Sequence, residues 1–99
     1  MAEVIWSQEA EDDLREIRKY IARDSPAVAD GVIDDLVAST DRLRDFPMSG
    51  HVVEELRQEG VREIILAPYH VAYDVSGEIV EILKVWHGKQ MLRPEEFRP

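Results

Sequence analysis

Three apolar segments separated by turn residues constrain this chain most: Val61-Arg62-Glu63-Ile64-Ile65-Leu66-Ala67, Pro68-Tyr69-His70-Val71-Ala72-Tyr73-Asp74-Val75, and Ile79-Val80-Glu81-Ile82-Leu83-Lys84-Val85-Trp86-His87. Each is rich in β-branched and aromatic residues. Each is bounded by Gly60, Pro68, Ser76-Gly77 or Gly88, the pattern of strands joined by tight turns. The reading is a three-stranded antiparallel meander. A period of two puts Tyr69, Val71, Tyr73 and Val75 on one face and His70, Ala72 and Asp74 on the other. In the last segment Ile79, Leu83 and Val85 alternate against Val80, Ile82 and Trp86, apolar on both faces, so that strand is expected inside the sheet. The residues before Gly60 must then supply the layer that covers one face.

Those residues read as a strand and two helices. Glu3-Val4-Ile5-Trp6 is β-prone and runs into Ser7, a good N-cap, with Glu9 in the first turn. Ala10, Leu14, Ile17 and Ile21 recur at helical spacing, and the acids from Glu9 to Asp13 read as a solvated face. Ser25 caps a second helix, with Pro26 at its first position. Val28, Val32, Ile33, Leu36, Val37, Thr40, Leu43 and Phe46 form its apolar stripe, and Pro47 stops it. Gly31 costs about 1 kcal/mol relative to Ala, explained either by a close helix approach or by a tolerated weak position. Pro47 to Gly60 is a long connector that either makes contacts or simply covers the core edge with Val52, Val53 and Leu56. The expected fold is α+β, in the order β-α-α-β-β-β, an antiparallel sheet with a helical hairpin packed on one face. The partner of the first strand stays open.

At 99 residues the chain is long enough for one two-layer core. One domain over residues 1–99 is expected, with 91–99 a polar C-terminal tail. The absence of cysteine excludes disulfides and thiolate chemistry. The only histidines, His51, His70 and His87, are scattered, so no metal site is expected. No apolar run has the length of a membrane span, and the first residues lack the order of a secretory signal, so a cytoplasmic location is expected. A net charge of -9 argues against broad nucleic-acid binding. The acids cluster early, twelve against six bases in residues 1–50, whereas 82–94 holds Lys84, Lys89 and Arg93 and no acid.

The second face of the sheet is the expected working surface, with Tyr69, Tyr73, His87, Arg62, Lys84 and Lys89 as its chemically useful side chains. Metal-free RNA cleavage needs a base, a cation for the phosphorane charge and an acid. His87, Arg62 as clamp and Tyr69 would fill those roles if they converge. Against this stand plainer readings: a strand-end histidine, an arginine paired within the fold, and tyrosines half-buried with their hydroxyls at the rim.

The ordered set Ser7-x-Glu9-Ala10-x-x-Asp13-Leu14-x-x-Ile17-x-x-Tyr20-Ile21, Asp24-Ser25-Pro26, Phe46-Pro47-x-Ser49-Gly50, Gly60-Val61-Arg62-Glu63, Pro68-Tyr69-x-Val71-x-Tyr73 and Glu81-Ile82-Leu83-x-Val85-x-His87-Gly88 resembles the RelE/ParE superfamily of toxins. The resemblance implies a type II toxin-antitoxin module and an antitoxin encoded beside the toxin that wraps it, giving a hetero-oligomer without cofactors. RelE-like members cut messenger RNA on the ribosome with basic residues; ParE-like members poison DNA gyrase and lack that set. Here His70 and Gln90 occupy positions that are often basic in RelE-like toxins. The wording is closest to ParE-like toxins, which implies growth inhibition through DNA gyrase. The alternatives are a RelE-like ribosome-dependent mRNA endonuclease using His87, Arg62 and Tyr69, and a non-toxic antitoxin-binding module. Lys84, Lys89 and Arg93 are the expected target contacts. Trp6, Tyr20, Val52 and Val53 are expected to form an apolar antitoxin groove between hairpin and sheet.

Overall fold

The computed structural model describes residues 1–89. Strand β1 (Glu3–Trp6) leads directly into helix α1 (Gln8–Ala22), which starts where the Ser7 hydroxyl accepts the Ala10 N–H at 3.1 Å. Helix α2 (Pro26–Ser39) starts in the same way, with the Ser25 hydroxyl accepting the Val28 N–H at 3.2 Å and proline in the first turn. A 3-10 turn at Asp41–Arg44 ends the helical layer. The connector contains a two-residue strand β2 (His51–Val52) and a 3-10 segment (Glu54–Glu59). Strands β3 (Arg62–Leu66), β4 (Tyr69–Ser76) and β5 (Ile79–His87) follow as the expected meander.

The sheet has the order β1-β5-β4-β3-β2, so β5 is interior. The fold is the expected α+β arrangement with two differences: the connector adds the short strand β2 beside β3, and β1 runs parallel to β5, with Glu3 opposite Ile79 and Trp6 opposite Ile82, so that the sheet is mixed. The helices between β1 and the meander form the crossover that a parallel pair requires.

Strict alternation fails in β5. Ala72 pairs with Lys84 but Tyr73 pairs with Ile82, leaving Leu83 as an extra residue in a β-bulge. Val80, Ile82 and Val85 consequently share the core beneath the helices, with Leu36, Leu43, Val71 and Tyr73. Leu83 and Trp86 join a second cluster with Val53, Leu56, Val61 and Ala72. Since Val71 and Ala72 are successive strand residues, the two clusters occupy opposite faces of the sheet. The 3-10 segment thus covers part of the face expected to be the working surface.

In α2 the expected stripe holds for Leu36, which is fully buried, and for the partly buried Val32 and Ile33, while Ala29 takes a core position that the stripe omitted. Val28, Val37 and Phe46 are exposed instead. Gly31 has no heavy atom within 4 Å of its missing Cβ, so no close approach within the described chain explains it. Gly50 is different. A Cβ there would lie 2.5 Å from the Tyr73 hydroxyl and 2.7 Å from the Glu63 carbonyl oxygen, so only glycine fits.

Candidate functional site

Antiparallel register sets Tyr69, the first residue of β4, opposite His87, the last of β5. Their rings meet edge to face with centroids 5.6 Å apart. The Lys89 backbone N–H donates to His87 Nδ1 at 3.1 Å, which leaves Nε2 to carry the proton in the neutral ring. Across from this pair α1 contributes Glu16, Ile17 and Tyr20, and with Lys89 these side chains line an open cleft of about 640 Å³. Tyr20 is 71% exposed, and the Arg23 guanidinium lies 5.8 Å from its ring centroid. The site lies on the helix side of the sheet, because Tyr69 packs against the helix-side core.

Arg62 does not join this site. It pairs with Tyr73, four residues along β4 from Tyr69, which separates the two backbone positions by roughly 13 Å. Its guanidinium donates to the carbonyl oxygens of Gly50 at 2.9 Å and Met48 at 3.2 Å, fastening the connector to β3. Tyr73 is fully buried rather than at the rim, and its hydroxyl accepts the Gly50 N–H at 2.8 Å. Burial pushes its phenol above the ordinary value, against a smaller opposing effect of that N–H and of Arg62.

Lys84 is mostly buried, with its ammonium 3.5 Å from Glu9 and 3.8 Å from Asp13. Asp13, expected in the solvated acidic run, is instead turned inward. β1 ends opposite Ile82, and beyond that point the Asp13 carboxylate accepts the Val85 N–H at 2.9 Å. Burial raises its carboxyl above the ordinary value, while the Val85 N–H and Lys84 pull it back down. A signal for this was available: Asp13 lies three residues after Ala10 and four before Ile17, on the buried stripe of α1. Arg93 and Gln90 lie outside the described residues, as does the tail 91–99.

The four residues expected to form one apolar groove are divided between the two faces. Trp6 packs against the helix-side core and Tyr20 borders the cleft, whereas Val53 is buried in the opposite cluster and Val52 lies exposed on β2. On that opposite face His70 stacks on Trp86, with centroids 5.1 Å apart, and its Nδ1 lies 3.1 Å from a Glu63 carboxylate oxygen. Gly88 closes this cluster, since a Cβ there would approach His70 Nε2 to 3.0 Å. Among the described residues no group of three or more His, Cys, Asp and Glu side chains is arranged to hold a metal ion. No helix among them is long and apolar enough to cross a membrane.

Residues 4–92 match the model of the ParE toxin of type II toxin-antitoxin system parDE. Toxin RelE2 of Caulobacter vibrioides is 31% identical over 91 residues, which span 92% of this chain and 100% of the relative. A solved chromosomal ParDE toxin-antitoxin system from P. aeruginosa shares the fold with a TM-score of 0.75 and 25% identity, over 88% of this chain and 96% of that one. Fold and relatives together define a toxin of the RelE/ParE superfamily. Within it, the chain belongs to the ParE toxin family of type II toxin-antitoxin systems.

Proposed function

We propose that this toxin acts by holding its target through a contact surface, with DNA gyrase as the target, and that a cognate antitoxin neutralises it. The observation that carries this reading is the position of Arg62. A phosphoryl-transfer site needs a cation at the developing charge; Arg62, the clamp of the nuclease reading, is bound to the connector carbonyls at the start of β3, roughly 13 Å along the sheet from Tyr69, which leaves the cleft, among the described residues, with Lys89 as its cation. The net charge of -9 supports the same reading, because an enzyme working within ribosomal RNA is expected to be basic. The cleft lined by Ile17, Tyr20 and Tyr69 is suited to an apolar anchor of the antitoxin. Such a system operates in the cytoplasm.

One observation favours the second reading, an mRNA endonuclease: Tyr69 and His87 do meet. A single experiment separates the two. Purified toxin is added to gyrase on plasmid DNA and, in parallel, to a translating extract. Trapped cleavage complexes or lost supercoiling, with messenger RNA intact, are expected. His87→Ala should leave this activity within about threefold, whereas a catalytic acid or base contributes about 10²–10⁴-fold. Ribosome-dependent cleavage abolished by His87→Ala, with gyrase unaffected, would replace the first reading with the second.

A further inference from the structure

The cleft beside Tyr69 and His87 opens between α1 and the end of β5, and polar ties join these two elements just ahead of it. In chain order, the Ser7 hydroxyl donates to the Leu83 carbonyl at 3.2 Å, the Lys84 ammonium lies 3.5 Å from Glu9, and the Asp13 carboxylate accepts the Val85 N–H at 2.9 Å. Beyond Asp13 and Val85 the cleft begins, with Glu16, Ile17 and Tyr20 on one side and Tyr69, His87 and Lys89 on the other. Glu16, Ile17 and Tyr20 follow Asp13 by three, four and seven residues, so the last tie and the helical wall of the cleft share one face of α1. On the other side His87 follows Val85 by two residues, about 7 Å along the same strand. The Asp13–Val85 bond thus fixes the spacing of helix and strand about one helical turn before the cleft.

Aspartate is a costly residue for this position. It stands on the stripe of Ala10 and Ile17, where an apolar side chain would pack without desolvating a charge. Only 19% of its side chain is exposed. Burial raises its carboxyl by more than the Val85 N–H and Lys84 lower it, so the ionised form detracts from stability at neutral pH. What the carboxylate supplies is direction. Val85 is buried, its N–H needs an acceptor within the protein, and β1, which ends opposite Ile82, does not reach it. The same carboxylate lies 3.8 Å from the Lys84 ammonium, which steadies its orientation.

We propose that Asp13 is the positioning residue of the cleft: by tying α1 to Val85 it holds Ile17 and Tyr20 at the spacing from Tyr69 and His87 that an apolar anchor of the antitoxin requires. This rests on the reading that the antitoxin seats such an anchor there. A tie of this kind acts on affinity, because a cleft held at its bound width loses no binding free energy to ordering its walls.

The test uses the toxin and the antitoxin encoded in the adjacent reading frame, with Kd measured by calorimetry well below the Tm of each variant. Asp13→Ala removes the acceptor and should weaken binding by at least about tenfold. Asp13→Leu removes it while keeping the stripe filled, and should weaken binding alike. Asp13→Asn retains an oxygen for the Val85 N–H and should restore Kd to within about threefold of the parent. Amide exchange in the free toxin reads the tie directly: Val85 should exchange faster in Asp13→Ala and Asp13→Leu but not in Asp13→Asn. Tyr73→Phe is the control for lost stability, since it breaks the Gly50 bond roughly 13 Å along β4 from Tyr69 and should bind as the parent does. If Val85 loses protection and Kd stays at the parent value, the positioning role is refuted and the antitoxin reading stands. Weak binding by Asp13→Asn with Val85 still protected, or by Tyr73→Phe as much as by Asp13→Ala, also refutes it. A parent that binds no antitoxin overturns both readings.

Discussion

Tyr73 and Gly50 together decide how the connector meets the sheet. The phenol lies fully buried and accepts the Gly50 N–H, and the space at Gly50 admits no side chain. Tyr73→Phe leaves that N–H without its partner, and a loss of about 1–3 kcal/mol in denaturant unfolding is expected. The pH dependence has a definite sign. Burial raises the folded-state phenol above 10.0, so above that pH the unfolded chain releases a proton that the folded one keeps. Stability should therefore fall as pH rises past about 10, and Tyr73→Phe should remove that component of the alkaline slope. Gly50→Ala should cost about 1–3 kcal/mol through overpacking, because the obstructing Glu63 oxygen is backbone and moves little. A Gly50→Ala chain as stable as the parent would show that the connector swings free of Tyr73.

At the scale of elements, α2 and β5 repay comparison. α2 is anchored by Leu36, which is fully buried among residues of the helix-side core. Leu36→Ala should destabilise by about 2–5 kcal/mol, measured by chemical denaturation. A change within about 0.5 kcal/mol, the range of surface sites, would mean that the buried face of α2 lies elsewhere. β5 outruns its parallel partner β1, and α1 supplies what the missing strand would have provided. The Asp13 carboxylate takes the Val85 N–H, and the Ser7 hydroxyl donates to the Leu83 carbonyl at 3.2 Å, on either side of the Lys84 position. The bulge at Leu83 falls in this same stretch. The sheet edge next to the Tyr69–His87 pair is therefore fastened by side chains of the helix layer.

For the whole molecule, the governing quantity is its negative charge of -9. Asp13 and Asp74 are both raised by burial above 3.8, so on mild acidification the folded chain takes up protons before the unfolded one does. The sign follows: stability gains as pH falls from neutral through the folded-state values and stops gaining below the unfolded value. Reduced self-repulsion acts in the same direction. Tm should rise as pH falls toward the folded-state carboxyl values, which lie above 3.8, and Asp74→Asn should flatten that rise. A Tm that drops on that approach would mean that the raised carboxylates are outweighed by ion pairs that acid breaks. Association with the antitoxin should raise Tm further and make it concentration-dependent.

Much of this protein was legible in the chain alone, and for one physical reason: caps, turns and periodic burial are local. Ser7 and Ser25 announce their helices, Ser76-Gly77 marks a hairpin in which Gly77 takes φ of +60°, and the apolar third segment is indeed interior. The order of elements follows from those signals. The tertiary structure decided what depends on distant partners. β1 joined β5 in parallel, and a single extra residue at Leu83 exchanged the faces of half a strand. Arg62 went to carbonyls 12 and 14 positions away, and Asp13 to an amide 72 positions away. No local pattern encodes such pairings, because each is set by where the chain ends up after the core has closed. For that reason the meander could be read from composition and spacing, while the separation of Arg62 from His87, on which the functional reading turns, could not.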